Sequence, residues 1–288
     1  MEYNQRLGVD LHIHSTASDG SLTPSEILHL AQKLNLGAIA ITDHDSLEGS
    51  KAALRAGIPS SINFLSGVEI SAAYPPFLSG SGSFHLLGYA IGLDDSELNQ
   101  SLHELRQARK NRNPEILKRL NELGYPLTLD EVRKVVGEGQ LGRPHIARAM
   151  VKKGFVASVN EAFDKLLGDD KPAYVNKYRI DCIQAVRTIT AAGGIPVLAH
   201  PGLLGIDNES DLTQLIGNLK DIGIKGIEVY YPEHTPRQMK MYAELARRFD
   251  LLMTGGTDFH GAMMPKIKLG SGKGDLFIPY ELYEKLIK

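Results

Sequence analysis

Leu7-Gly8-Val9-Asp10-Leu11-His12-Ile13-His14-Ser15 is followed, after a short polar stretch, by Thr23-Pro24-Ser25-Glu26 and then by Ala38-Ile39-Ala40-Ile41-Thr42-Asp43-His44-Asp45. The first and last pieces are apolar and β-branched and end in polar clusters, which reads as two strands. Between them Thr23 stands as an N-cap, Pro24 takes the first helical position, and Glu26 completes a capping box ahead of apolar residues at helical spacing. Strand, helix, strand implies a parallel sheet and an α/β fold, whose chemistry gathers at the carboxyl ends of strands.

Working outward, residues 62–71 and 83–91 also read as strands. Residues 96–175 contain no convincing strand. There, helical periodicity runs through 96–123, 128–136, 143–153 and 158–167, divided by Gly124-Tyr125-Pro126, residues 137–142 and Gly154. This stretch reads as a helical insertion. Alternation then resumes, with helices at 181–192, 211–222 and 236–249, strands at 195–200, 226–231 and 251–255, and a terminal helix from Pro279. Residues 75–83, rich in proline, glycine and serine, read as a mobile loop beside the site.

At 288 residues and 42% hydrophobic content, the chain fits one barrel carrying an insertion. A net charge of -2 argues against wrapping duplex nucleic acid, so an anionic ligand must meet a local basic patch. Cys182 is the only cysteine, which excludes an intrachain disulfide and a thiolate metal site. It sits in the opening turn of a helix as a small structural residue. With no apolar signal core in residues 1–6 and no run approaching a membrane span, the expectation is a cytoplasmic protein with no membrane partner.

Each apolar run ends in, or is followed by, a cluster of acids and histidines, which places every cluster at the carboxyl end of a strand. They are His12-Ile13-His14 with Asp19, Asp43-His44-Asp45, Gly67-Val68-Glu69, His85, Ala199-His200-Pro201 and Asp258-Phe259-His260. Strand alternation sends His12 and His14 to one face, where both imidazoles can reach one ion. A lone His-x-His fits two satisfied core histidines equally well, but the joint occurrence of these clusters points to one polynuclear metal site. Imidazole and carboxylate ligands without thiolate suit Mn²⁺, Zn²⁺ or Fe²⁺ better than Ca²⁺ or Mg²⁺ alone.

In this order the clusters resemble the polymerase and histidinol phosphatase (PHP) family of metal-dependent phosphoesterases, over nearly the whole chain. The resemblance implies a distorted, seven-stranded β/α barrel formed by residues 1–95 and 176–288, with residues 96–175 as a small inserted helical domain capping the substrate. It also implies two or three divalent ions, Mn²⁺ foremost with Zn²⁺ or Fe²⁺ as alternatives. By motif, His12, His14, Glu69 and Asp258 would hold the first ion, Glu69, His85 and His200 the second, and Asp19, His44 and His260 the third. Glu69, His12, Asp258 and His200 would form the catalytic centre. Two ions roughly 3.5–4 Å apart can acidify a bridging water and neutralise charge during in-line displacement at phosphorus. Asp10, Asp43 and Asp45 flank these ligands, as second-layer partners of the imidazoles or as ordinary strand-end aspartates.

Arg106, Arg109 and Arg112 recur at i, i+3 and i+6 on one helical flank, and Gly142-Arg143-Pro144-His145 opens another helix. Such a run is often a solvated face, but a phosphoesterase needs fork-shaped donors for a phosphate that does not react. The pattern resembles the PHP subgroup that hydrolyses nucleoside 3′,5′-bisphosphates and trims short RNA from the 5′ end. That resemblance assigns substrate binding to Arg109, Arg112, Arg143 and, less directly, His145, since a histidine at a helix start can simply cap. The partner is then a small phosphorylated nucleotide or short oligonucleotide. His29 and His103 read as structural or solvent-exposed, whereas His234 could approach substrate and Tyr230 or Tyr231 could stack on a base. Other readings are a phosphatase for histidinol phosphate or another small ester, a metal-stabilised oligonucleotide-binding module without catalysis, and an amidohydrolase-type C–N hydrolase, for which no bridging lysine is found.

Overall fold

The computed structural model describes residues 8–78, 84–136, 141–206 and 208–288, with the backbone alone for Val136. The amino-terminal reading, the glycine and serine part of the 75–83 loop and most of the 137–142 divider lie outside them. In chain order the elements are β1 (Val9–Ile13), α1 (Pro24–Lys33), β2 (Ala38–Ile41), α2 (Glu48–Ala56), β3 (Asn63–Ala72), β4 (Phe84–Tyr89), α3 (Ser96–Glu122), α4 (Leu129–Val136), α5 (Arg143–Lys152), α6 (Val159–Ala162), α7 (Cys182–Ala191), β5 (Ile195–Leu198), α8 (Glu209–Asp221), β6 (Gly226–Tyr230), α9 (Pro236–Arg248), β7 (Leu252–Gly255) and α10 (Glu281–Leu286). The capping box of α1 forms as its sequence specifies, Glu26 accepting from the Thr23 N–H at 2.8 Å. Helix α2 gave no such signal: its N-cap position is Leu47, without a side-chain cap.

The strands pair in sequence order, β1 to β7, and all pairings are parallel except those of β4, which runs against both β3 and β5. With no helix between β3 and β4, the chain returns directly and antiparallel. This corrects the placement of every cluster at the carboxyl end of a strand. His85 is the second residue of β4 and pairs with Ser71 of β3, so reversal brings it to the same end of the barrel as the other clusters.

The sheet curls until β1 meets the segment after β7. The Asp258 N–H donates to the His12 carbonyl at 2.8 Å and the His14 N–H to the Phe259 carbonyl at 2.9 Å. The result is a distorted seven-stranded β/α barrel. Val9, Leu11, Ala38, Ala40, Leu87 and Val197 fill its interior, closed by Leu282 and Leu286 of α10. Ile13 instead packs outside with Ile27, Leu28 and Ala31 of α1. A register shift between Asp10 and Ile13 makes that change of face and leaves His12 and His14 pointing inward.

Between β4 and α7 the described residues form helices and no strand. The first turns of α3 belong to the barrel, where Leu98, Leu102 and Leu105 are buried. From Ile116 onward a separate core assembles, with Leu120, Ile146, Met150, Leu166 and Ala173. Among the described residues no helix is long and apolar enough to cross a membrane.

The junction between β1 and β7 tolerates no side chain at Gly256, because an added Cβ would fall on the Cβ and backbone nitrogen of His12. Gly256→Ala is expected to lower the free energy of unfolding by at least about 2 kcal/mol, at the upper range of overpacking. Urea titration reads this directly, and an unchanged midpoint would show that the seam is not closed as described.

Candidate metal centre

The site is built at the barrel end where β1, β3, β5 and β7 finish and β4 begins. Glu69, from the last half of β3, is 1% exposed, and histidines from four directions surround its carboxylate. Around Oε1 lie His85 Nδ1 at 2.7 Å and His200 Nε2 at 3.0 Å. Around Oε2 lie His44 Nδ1 at 2.7 Å, His14 Nε2 at 3.3 Å and His12 Nε2 at 3.5 Å. Asp258 Oδ1 approaches His14 Nε2 at 3.0 Å and His12 Nε2 at 3.5 Å. Asp19, on the loop after β1, faces His260 Nε2 at 3.3 Å and His44 Nε2 at 3.9 Å. All the ligand positions assigned from sequence are therefore brought together. Their division among ions is looser than the motif assignment, since His14 groups with Asp19, His44 and His260 as well as with His12 and Glu69, and His44 also groups with Glu69 and His85.

His12 Nε2, His14 Nε2, His44 Nδ1, Asp19 Oδ1 and Glu69 Oε2 are buried and make no hydrogen bond, although they crowd one another. Orphaned lone pairs aimed at common points are what a cation would satisfy. The electrostatics agree. Burial would raise the Glu69 carboxyl, but His44, His85 and His12 hold it well below the usual carboxylate range. Burial would push the His12 imidazole down, but Glu228, Asp258 and Glu69 hold it well above its usual value. The cluster thus attracts positive charge, and a proton and a divalent ion compete for it. His85 differs: burial, against the pull of Glu69, pushes it down to about 3, leaving a neutral ligand. Imidazole and carboxylate donors without thiolate fit a transition-metal ion.

Strain marks the same end. His200 has φ 25° and Asp258 φ 55°, left-handed conformations that side chains larger than glycine rarely adopt. His200 is held there by its N–H, which donates to Glu228 Oε2 at 2.7 Å. The other oxygen of Glu228 lies 3.0 Å from His12 Nδ1. Glu228 is fully buried on β6 and orients two histidines at once. It was not singled out from sequence, where its only signal is that Gly226-Ile227-Glu228-Val229 repeats the pattern of Gly67-Val68-Glu69-Ile70.

The flanking aspartates do not touch the imidazoles. Asp43 accepts from Ser15 N at 2.7 Å and Ser18 Oγ at 2.6 Å. Asp10 accepts from Thr257 Oγ1 at 2.6 Å and Gly270 N at 2.8 Å. Asp45 accepts from Ser71 N at 2.8 Å and from Arg109 Nη2 at 2.7 Å. Of the two tyrosines, Tyr231 donates to Asp258 Oδ2 at 3.0 Å, which occupies its hydroxyl within the site. His234 has Nδ1 on the Val229 carbonyl at 2.9 Å and Nε2 on the Gly202 N–H at 3.2 Å, so both nitrogens serve the backbone. Cys182 is buried at the start of α7.

Of the arginines assigned to substrate, Arg109 pairs with Asp45, and Arg112 lies within electrostatic reach of Arg109 and Arg143. Arg109 and Arg112 are each 7% exposed; Arg112 leaves Nε and Nη1 unpaired, and Arg109 leaves Nε. Burial, then Arg143 and Arg109, push Arg112 down to about 10. Arg143 donates to Asp169 Oδ1 and the Leu167 carbonyl, both at 2.9 Å, and lies over the rings of Phe163 and Tyr174. His145 Nδ1 accepts from the Gly142 N–H at 3.1 Å and caps α5, while its ring faces Asp19 and His260. Sequence reading did not include Lys177, whose Nζ lies 2.5 Å from Ser71 Oγ. Burial and Arg109, with Arg112 and Arg179 adding, push Lys177 down to about 7 against the opposing pull of Asp45. A lysine in a loop carries no periodicity to flag it.

Comparison with known proteins agrees with this arrangement. A 5′-3′ exoribonuclease of Haemophilus influenzae is 35% identical over 251 residues, covering 87% of this chain and 89% of that one. A 3′,5′-nucleoside bisphosphate phosphatase of Chromobacterium violaceum is 34% identical over 257 residues, covering 88% and 87%. A solved structure from Bifidobacterium adolescentis, taken to be a metal-dependent phosphoesterase, superimposes with a TM-score of 0.84 at 28% identity, over 98% of this chain and 96% of that one. The PHP domain model matches residues 10–230, from within β1 to the end of β6. A match of that extent, on a barrel whose mouth gathers buried histidines around one glutamate, makes this chain a member of the PHP domain family of metal-dependent phosphoesterases.

Proposed function

We propose that the chain hydrolyses nucleoside 3′,5′-bisphosphates or short 5′-phosphorylated oligoribonucleotides. The observation that carries this reading is Arg112, a buried guanidinium with two unpaired donors amid Arg109, Arg143 and Lys177. An uncompensated buried cation is costly, and a phosphate neutralises it with charge-assisted hydrogen bonds. The cluster abuts the metal centre through Asp45, next to His44, and Ser71, two residues beyond Glu69 on the same strand. One site for reacting phosphate and one for a second anion suit a substrate bearing both.

In this reading His12, His14, Glu69 and Asp258 hold one ion, Glu69, His85 and His200 a second, and Asp19, His44 and His260 a third, with Mn²⁺ favoured. Bound there, divalent ions would supply Lewis acidity toward phosphoryl oxygens and acidify the attacking water. The chain's own residues do the rest. Glu228 and Tyr231 fix the orientation of His12 and Asp258, the arginine cluster anchors the second phosphate, and the helices from α3 to α6 cap the mouth as a substrate domain.

Elemental analysis after manganese loading should find two or three ions per chain, and fewer than one would remove the basis of the mechanism. Glu228→Gln keeps the shape but loses the charge that orients His12. It should lower metal affinity or turnover 10- to 100-fold with circular dichroism unchanged; wild-type affinity and turnover would leave Glu228 a purely structural residue.

Substrate choice is tested by phosphate release from nucleoside 3′,5′-bisphosphates, histidinol phosphate and a cyclic phosphodiester, each compared with a simple monoester. Charge-assisted bonds are worth about 1.5–3 kcal/mol each, so Arg112→Ala should lower kcat/KM for the bisphosphate about 10- to 150-fold. The simple monoester should change less than about threefold. Equal losses on both would place Arg112 on the reacting phosphate or in the fold, and preference for histidinol phosphate or the cyclic ester would overturn the substrate assignment.

A further inference from the structure

A second cationic feature borders the metal centre beside Asp19 and His260. It is a cleft of about 650 Å³ between the barrel rim and α4 and α5, lined by Ser21, Lys134, His145, Arg148, Lys152 and Met263 with interspersed valines. Its size falls in the range of roughly 300–1,000 Å³ that suits small-ligand pockets. No aspartate or glutamate lines it. Arg148 makes its close contact with the Met263 sulfur at 2.6 Å, a weak acceptor, and among the described residues no carboxylate pairs with Lys134, Arg148 or Lys152. His145, Arg148 and Lys152 stand at i, i+3 and i+7 on α5, on one face. At 1.5 Å per residue they form a row about 10 Å long that starts at the metal centre.

We propose that this cleft receives the nucleotides attached to the far side of the reacting phosphate when a 5′-phosphorylated oligoribonucleotide is the substrate. The inference rests on the phosphoesterase reading above and extends it. With the 5′-phosphate in the arginine cluster and the 3′-phosphate at the metal centre, the first nucleoside is spanned. In both substrates the oxygen of water bonds to phosphorus and the P–O3′ bond breaks, with O3′ leaving protonated. A bisphosphate then yields inorganic phosphate. An oligonucleotide yields a 5′-mononucleotide, while the reacting phosphate stays as the new 5′ end of the shortened chain. Everything 3′ of the reacting phosphate must leave past the metal centre, and the acid-free row from His145 to Lys152 borders it. At about 3.4 Å per nucleotide of a stacked strand, the row spans about three nucleotides.

The test is the double variant Lys134→Glu with Lys152→Glu, both exposed side chains, in the full metal-loaded protein. Hydrolysis of 5′-phosphorylated di- to hexanucleotides is compared with that of a nucleoside 3′,5′-bisphosphate. The variant should lose at least tenfold in kcat/KM on a tetranucleotide, through KM, while the bisphosphate stays within about twofold. The slope of log(kcat/KM) against log salt for the tetranucleotide should fall by about 1.4, at about 0.7 for each of two phosphates that the lysines no longer neutralise. Wild-type hydrolysis of the bisphosphate but of no oligonucleotide overturns the cleft and leaves the bisphosphatase reading standing. Equal losses on both substrates, or none on either, also overturn the cleft. If the wild type turns over neither substrate, the phosphoesterase reading fails separately, and anisotropy of a labelled tetranucleotide decides the cleft: binding weakened at least tenfold in the variant supports it, undiminished binding overturns it.

Discussion

The structure depends on the burial of one carboxylate. Glu69 has lost its water, and an isolated buried anion is so unfavourable that it would normally take up a proton. It stays ionised because five imidazoles from the loop ends and strand ends of the barrel face its two oxygens. His44 is placed by a backbone bridge to Glu69 itself, and the other four are placed by features that do not touch it. The bulge in β1 turns His12 and His14 inward, the antiparallel course of β4 brings His85 round, and Glu228 pulls His200 into a left-handed backbone. The irregular features of the barrel are those that position charge around this residue.

The regular part of that barrel was legible because its signals are local. A capping box, a proline at the first helical position and alternating apolar runs each act within a few residues, and α1, β1 and β2 follow from them directly. What local signals do not carry is strand direction. Residues 62–71 and 83–91 both read as strands, but the run around His85 looks like any strand preceded by polar residues. Only the absence of an intervening helix distinguishes a return from a crossover. Helix α2 was missed for a related reason. Its first turn, Glu48-Gly49-Ser50, has poor helix propensity, and Gly49 is there because a Cβ would collide with Asp43.

Ligand residues were legible through their clustering, whereas the residues that hold them in place were not. Asp43 and Asp45 adjoin His44 in sequence, but Asp43 turns away to Ser15 and Ser18, and Asp45 sits in a left-handed turn (φ 53°) that delivers it to Ser71 and Arg109. Asp10 stands two residues before His12 and would share its face in a regular strand. The bulge between them sends it instead to Thr257. The residue that does orient His12 lies 216 positions away on β6. No spacing rule connects strands so distant until the barrel closes.

Charge is layered at this end of the molecule. Carboxylates and imidazoles occupy the innermost layer, where burial strengthens each interaction. Around it Arg109, Arg112, Arg143 and Lys177 form a cationic tier on one side, and Arg148 with Lys134 and Lys152 a second beside Asp19 and His260. The two tiers differ in a way that separates their work. The first is enclosed and mutually repelling enough to push Arg112 and Lys177 below their ordinary values, so it gains most from one compact, highly charged group. The second is open, and its cations are spread over α4 and α5, so repulsion among them is screened and, in the proposed reading, each meets a separate phosphate. A net charge of -2 is compatible with local cationic patches of this kind, and in the proposed reading these two are where the phosphates of the substrate lie.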